Sequence, residues 1–315
     1  MTEIVDSLQQ DGLRIVRLRS EHLEVDVAPQ VGGRIVGIRH LGSGHEFLWR
    51  NSRLRLERCR PGSEYDPNFY GGIDELLPND IPETIGGVAC PDHGELWTRS
   101  LDWRIDGRTL LLEGELPQFG LTYERRMRLR ADSPHVDFHY RLTNPTGAER
   151  HFLWKLHAAL AVEEGDVIDC PARQAQVVDL AYSRFSTLRP FAWPHIEGQR
   201  ADVVPAQNGT VDFFYLFDLQ AGRIAWRRES APPGLRRAPP SGPLRFEYTF
   251  DTKVFPCAWL FASYGGLDGH YTIVLEPCST MPIRVDEAIR HGRCSRLLPG
   301  EVLETEVSLY AGPDS

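Results

Sequence analysis

Lysine is almost missing from this chain. Of its 35 basic residues only Lys155 and Lys253 are lysine, and the arginines form no basic run. At a formal net charge of −9, nucleic acid is not an expected partner, because such binding rests on neutralising phosphates. The excess of arginine reads as base composition of the coding DNA rather than as function. Paired cysteines are missing too. Cys59, Cys90, Cys170, Cys257, Cys278 and Cys294 are scattered, and no two stand at CxxC spacing. Zinc and thioredoxin-like readings therefore have little support, and no metal is expected. The start, MTEIVDSLQQDG, lacks the charged and apolar pattern of a secretory signal. Six reduced thiols in a cytoplasm are the expectation. No apolar run approaches the roughly 18 residues needed to cross a bilayer, so no membrane partner is expected. Long amphipathic helical patterns are also lacking. The best short candidate is VDEAIRHG, with Asp286 as its start and Gly292 as its stop.

What remains is an ordinary globular composition, 41% hydrophobic and 25% charged, which excludes wholesale disorder and fibres. At 315 residues the chain can bury about three quarters of its unfolded surface. It needs neither disulfides nor metal to fold. The hydrophobic period is two almost everywhere. Leu23, Val25 and Val27 alternate with His22, Glu24 and Asp26. In TYERRMRLR, Glu124, Arg126, Arg128 and Arg130 share a polar face, and in HVDFHYRLT Val136, Phe138, Tyr140 and Leu142 share an apolar one. Leu303, Thr305, Val307 and Leu309 alternate with Glu304, Glu306 and Ser308. Each pattern is a strand buried on one face. Turn signals punctuate them at Asp106-Gly107, Asn144 to Gly147, Asn208-Gly209 and Pro299-Gly300. Strands without crossover helices exclude a parallel α/β fold. An all-β fold, a large antiparallel sandwich forming one domain over 1–315, is expected, with helix well below the usual third or so. The five-proline stretch ESAPPGLRRAPPSGP, residues 229–243, reads as a surface loop.

Four segments carry polar residues that folding alone does not demand. CPDHGELW holds His93 and Gly94 in a proline-flanked loop. This pair either presents an imidazole on a tight turn or is an inert loop. FLWKLHAAL is an apolar strand interrupted by Lys155 and His157, two apart and so on one face. That face lines a cavity or sits at a solvated edge. YTIVLEPCSTMP ends its apolar run at Glu276, which is either a desolvated base or the first exposed residue. NFYGGIDELLPND combines two glycines, able to bring backbone close to a ligand, with Asp74 and Glu75; the plainer reading is a turn and a short strand.

Taken in order, these segments resemble the galactose mutarotase-like (aldose 1-epimerase) superfamily. The resemblance rests on Gly32-Gly33-Arg34-Ile35, Phe47-Leu48-Trp49, GGIDELLPN, His93-Gly94, His157 in its strand, Glu276 before Pro277, and Leu298-Pro299-Gly300-Glu301. It spans residues 30 to 312. It implies a β-supersandwich with a sugar-binding cleft, a small-molecule sugar as partner, no cofactor, and a monomer or homodimer. It also implies roles. Glu276 would take the anomeric proton, His157 would protonate the ring oxygen, and His93 would bind the sugar. Asn79, Asp74 and Lys155 join it as candidate substrate-binding residues. The resemblance further implies an aspartate between the second histidine and the late glutamate. Asp212, Asp218 and Asp251 are candidates, with Asp251 preferred.

The chain departs from the family where an arginine often follows Pro-Asn, since here Asn79 is followed by Asp80-Ile81-Pro82. Hydroxyl recognition is therefore expected to differ. A competing reading is a non-catalytic carbohydrate-binding protein on the same fold, with Trp97 or Trp259 stacking on the sugar. A hydrolase would need a second carboxylate across the cleft, from Asp74 or Glu75.

Overall fold

The computed structural model describes residues 2–229 and 242–314. Most of the proline-rich stretch 229–243 thus lies outside the described residues. Two antiparallel sheets dominate, one of eleven strands and one of eight. The only α-helix among the described residues is Val285–Arg290, inside the VDEAIRHG segment. The alternating segments form strands as their patterns require. His135–Thr143 buries Val136, Phe138, Tyr140 and Leu142 while Arg141 is exposed. It pairs with Leu121–Leu129 on one side and Val302–Pro313 on the other. These belong to the eight-stranded sheet, whose apolar face packs on the larger sheet across one continuous core.

One arginine sits in that core. Arg125 lies on the apolar face of its strand with Tyr123 and Met127, and is 1% exposed. Its guanidinium donates to Glu75 Oε1 at 2.7 Å and to the Gly33 carbonyl. Glu75 also accepts from Trp154 Nε1 at 3.1 Å. Glu75 therefore faces the other sheet, with its charge and hydrogen bonds satisfied there.

The middle of the eleven-stranded sheet positions the site. In space the order is Ile73–Leu76, Lys155–Ala161, Tyr271–Cys278, Cys257–Tyr264 and Thr210–Leu219. Lys155–Ala161 and Tyr271–Cys278 are buried along nearly their whole length. One face packs on the second sheet, and loops cover the other. That explains their near-continuous apolar sequences and makes their polar residues conspicuous.

Candidate active site

Register brings the polar interruptions into one row. His157 pairs with Asp74. Lys155↔Cys278 and Ala158↔Leu275 flank it on the other side, and that register sets His157 opposite Glu276. Trp259 pairs with Glu276, and Tyr215 with Trp259. Directly opposed side chains share a face, with Cβ atoms about 4.5–5.5 Å apart. Asp74, His157, Glu276, Trp259 and Tyr215 thus form one line across five strands. The next row on the same face is apolar: Ala159, Val274, Phe261 and Phe213. Above these rows lies a cleft of about 320 Å³, lined among others by Tyr65, Asp80, His93, Lys155, His157 and Glu276. That is enough for a small ligand.

His157 is oriented from behind. The Tyr65 hydroxyl donates to Asp74 Oδ2 at 2.7 Å and lies 3.3 Å from His157 Nδ1. The single phenolic proton is committed to the carboxylate, so Nδ1 carries its own hydrogen and donates to the Tyr65 oxygen. Nε2 is the nitrogen left for the cleft. Arg34 Nε holds the other Asp74 oxygen at 2.5 Å. Burial lowers the His157 pKa well below the ordinary 6.5, with Lys155 and His93 adding to the effect. Burial likewise pushes the Tyr65 hydroxyl up, with Asp74 reinforcing it. Tyr65 therefore stays neutral between Asp74 and His157.

Glu276 is 1% exposed. Its Oε2 lies 2.6 Å from Lys155 Nζ, which lies 2.6 Å from Asp80 Oδ1. One ammonium serves two carboxylates, over the face of Trp259 at 4.6 Å. Burial opposes the charge on Lys155, but Asp80 and Glu276 outweigh it and hold the amine above its ordinary range. Burial raises the Glu276 pKa from 4.5, and Lys155 opposes that rise.

His93 adopts a positive φ of 56°, a region non-glycine residues seldom enter. Gly94 follows with φ 75°, and a Cβ there would collide with the Leu77 carbonyl. This turn lays the His93 ring flat on Tyr65, centroids 4.2 Å apart. Asp92 fixes it, accepting from His93 Nδ1 at 2.9 Å and from the Tyr65 amide at 2.7 Å. His93 Nε2 is 3.8 Å from Asp80.

His93, Lys155, His157 and Glu276 therefore meet at the cleft. Asp74 is buried one residue behind it, and Trp259 lies beneath Lys155; neither lines the cavity. Trp97 is also buried, its Nε1 donating to the Asp92 carbonyl. Asn79 is elsewhere than the cleft wall. Its amide ties the Ile81 and Pro91 carbonyls together at 2.8 and 2.6 Å, so it shapes the loops that carry Asp80 and His93. Asp251 lies outside the cleft, exposed, accepting from the Lys253 amide in a turn. Asp218 is exposed as well. Asp212 is buried on the far side of its strand from Phe213, paired with Arg184 at 2.9 Å and pushed by burial up to about 6. Sequence reasoning missed Tyr65, Asp80 and Asp92. Asp92 directly precedes His93 in the CPDHGELW motif, and Asp80 follows Asn79 where the resemblance implies an arginine.

No family model matches the chain, and no curated protein does. Solved structures do. A galactose mutarotase-like protein from Clostridium acetobutylicum superposes with a TM-score of 0.68 at 14% identity, covering 99% of each chain. A galactose mutarotase related enzyme from Lactobacillus acidophilus gives 0.66 at 11%, covering 100% of this chain and 99% of that one. The Slr1438 protein from Synechocystis gives 0.68 at 15%, covering 98% and 99%. Likeness at these identities shows fold: the chain has the galactose mutarotase-like architecture.

Proposed function

We propose that this protein is a sugar mutarotase, interconverting the anomers of an aldose by general acid–base catalysis. The observation that carries the reading is His157 beside Glu276 in one row facing a single cleft. Glu276 takes the proton from the anomeric hydroxyl. His157 gives a proton from Nε2 to the ring oxygen, and the C1–O5 bond breaks. Rotation about C1–C2 and reversal of the two transfers close the other anomer. His157 acts as imidazolium, its second N–H held by Tyr65 with Asp74 behind. The pair therefore works with one proton between them, and its two titrations are coupled. His93, on its fixed ring plane, binds the sugar. Both steps are proton transfers and require no cofactor. No helix among the described residues is long and apolar enough to cross a membrane. We place the protein in a cytoplasm, as a monomer or homodimer.

Exchange between anomer signals in NMR tests the reading. A sugar panel should contain at least one aldose exchanged above its spontaneous rate. Glu276→Gln and His157→Asn should each lower that rate by about 10²-fold or more, while the former still binds. One observation favours a second reading, that of a carbohydrate-binding protein without turnover: Lys155 already engages Glu276 at 2.6 Å. That reading requires sugar binding with no exchange above the spontaneous rate in the parent protein.

A further inference from the structure

The cleft is acidic to a degree that a neutral polyol does not require. Five carboxylates line it, Asp66, Asp80, Asp92, Asp179 and Glu276, against the single lysine Lys155. No arginine is among the lining residues. The one ammonium is spent, since it lies 2.6 Å from both Asp80 and Glu276. The nearby guanidinium of Arg34 is bound to Asp74 behind the cleft wall. Apart from the His157 imidazolium of the working pair, an incoming phosphate or carboxylate would meet no unpaired lysine or arginine and several negative charges, in a site partly closed to water where such repulsion is weakly screened.

Four of the five carboxylates have partners: Lys155 for Asp80 and Glu276, His93 and the Tyr65 amide for Asp92, and the Ala181 amide for Asp179. Asp66 is different. It directly follows Tyr65, at the start of the short turn Asp66–Asn68. Its carboxylate makes no side-chain hydrogen bond or ion pair among the described residues. It stands at the rim, beside a cavity whose inner end holds the His157–Glu276 pair.

We infer that the cleft selects an aldose carrying a protonated amine, with Asp66 as its counter-ion, and rejects phosphorylated and carboxylated sugars. This rests on the mutarotase reading for the word aldose, but the charge preference is a property of the cleft and is read separately.

The test compares isosteres, so that size does not enter. Glucosamine and galactosamine, and the 6-amino-6-deoxy hexoses, are each set against the parent hexose. Glucose 6-phosphate and glucuronate supply the anionic arm. Binding and anomer exchange are measured by NMR across pH 5 to 6.5, which spans the expected bell and lies below the range of an α-type amine. At least one amino sugar should exceed its parent by about fivefold or more at low salt, the upper end for an exposed ion pair. The advantage should shrink at about 0.5 M salt. Asp66→Asn should reduce it to about twofold or less, and Asp66→Glu should retain it. Anionic sugars should fall below their parents.

If every amino sugar matches or trails its parent, or an anionic sugar does as well as its parent, the inference is overturned. Exchange of the neutral parents would then leave the mutarotase reading standing. An amine preference that survives Asp66→Asn removes Asp66 from the role. Amino sugars bound with the expected preference but never exchanged would uphold the inference and sink the mutarotase. If no sugar in the panel binds, both fall.

Discussion

Replacing Lys155 by methionine removes the only cation between Asp80 and Glu276. The substitution keeps most of the volume over Trp259 and deletes the charge. Both carboxylates are at least 97% buried, at 3% and 1% exposure, and the His93 ring comes no nearer to Asp80 than 3.8 Å. Breaking a buried pair by removing one partner costs about 3–5 kcal/mol. Here two acids are stranded, so the upper half of that range is expected at pH 7. The cost should depend on pH with a definite sign. Without Lys155, burial and mutual repulsion raise the folded-state pKa of at least one acid above its unfolded value. The native state then binds a proton more tightly than the unfolded chain, and stability falls as pH rises through that window. Urea unfolding of parent and variant at pH 5 and pH 7.5 measures this directly. The destabilisation should be smaller at pH 5. Adding Glu276→Gln to Lys155→Met should recover part of the loss, a coupling of about 1–3 kcal/mol. A loss below about 1 kcal/mol, or one equal at the two pH values, would refute the reasoning that one ammonium holds two buried charges.

Three other outcomes are expected. The pH profile of anomerisation should be a narrow bell: Glu276 must be ionised and burial moves its pKa up from 4.5, while His157 must be protonated and burial moves its pKa down from 6.5. The acidic limb should stand above 4.5 and the basic limb below 6.5, and a basic limb well above 6.5 would overturn the assignment of the acid role to His157. Tyr65→Phe should lower kcat by roughly two- to tenfold, the worth of one hydrogen bond, with KM little changed and the basic limb displaced further down. All six cysteines are free, so thiol titration of the denatured, unreduced protein should count six; two or fewer would contradict a reducing compartment.

How much of this was legible in the sequence depended on contrast. The sandwich could be read because strands such as His135–Thr143 alternate cleanly between core and solvent. Lys155, His157 and Glu276 could be read because they interrupt strands that are otherwise apolar on both faces, where a polar side chain needs a reason. Tyr65, Asp80 and Asp92 sit in loops, where polar residues are ordinary and give no contrast. Asn79 stood out as part of a motif, yet its amide is spent on the Ile81 and Pro91 carbonyls. The resemblance implies an aspartate between His157 and Glu276; Asp179 lines the cleft in that interval, while Asp66, Asp80 and Asp92 come before His157. Arg125 did leave a signal: an arginine between Tyr123 and Met127 on the apolar side of an alternating strand demands a buried partner, and that partner is Glu75.

Asp74 and Glu75 show what such buried pairs do beyond binding charge. They are neighbours on one strand and point to opposite faces, Asp74 to Arg34 and Glu75 to Arg125. A strand that slips by one residue turns every side chain over. Here a slip in either direction would put an acid in only one of the two places and set Leu76 or Ile73 against the other arginine. The penalty is a buried guanidinium left without its counter-ion, since Arg34 and Arg125 are 4% and 1% exposed. The two guanidiniums act as a gauge that accepts the strand in one alignment only, and that alignment is the one that sets His157 against Glu276.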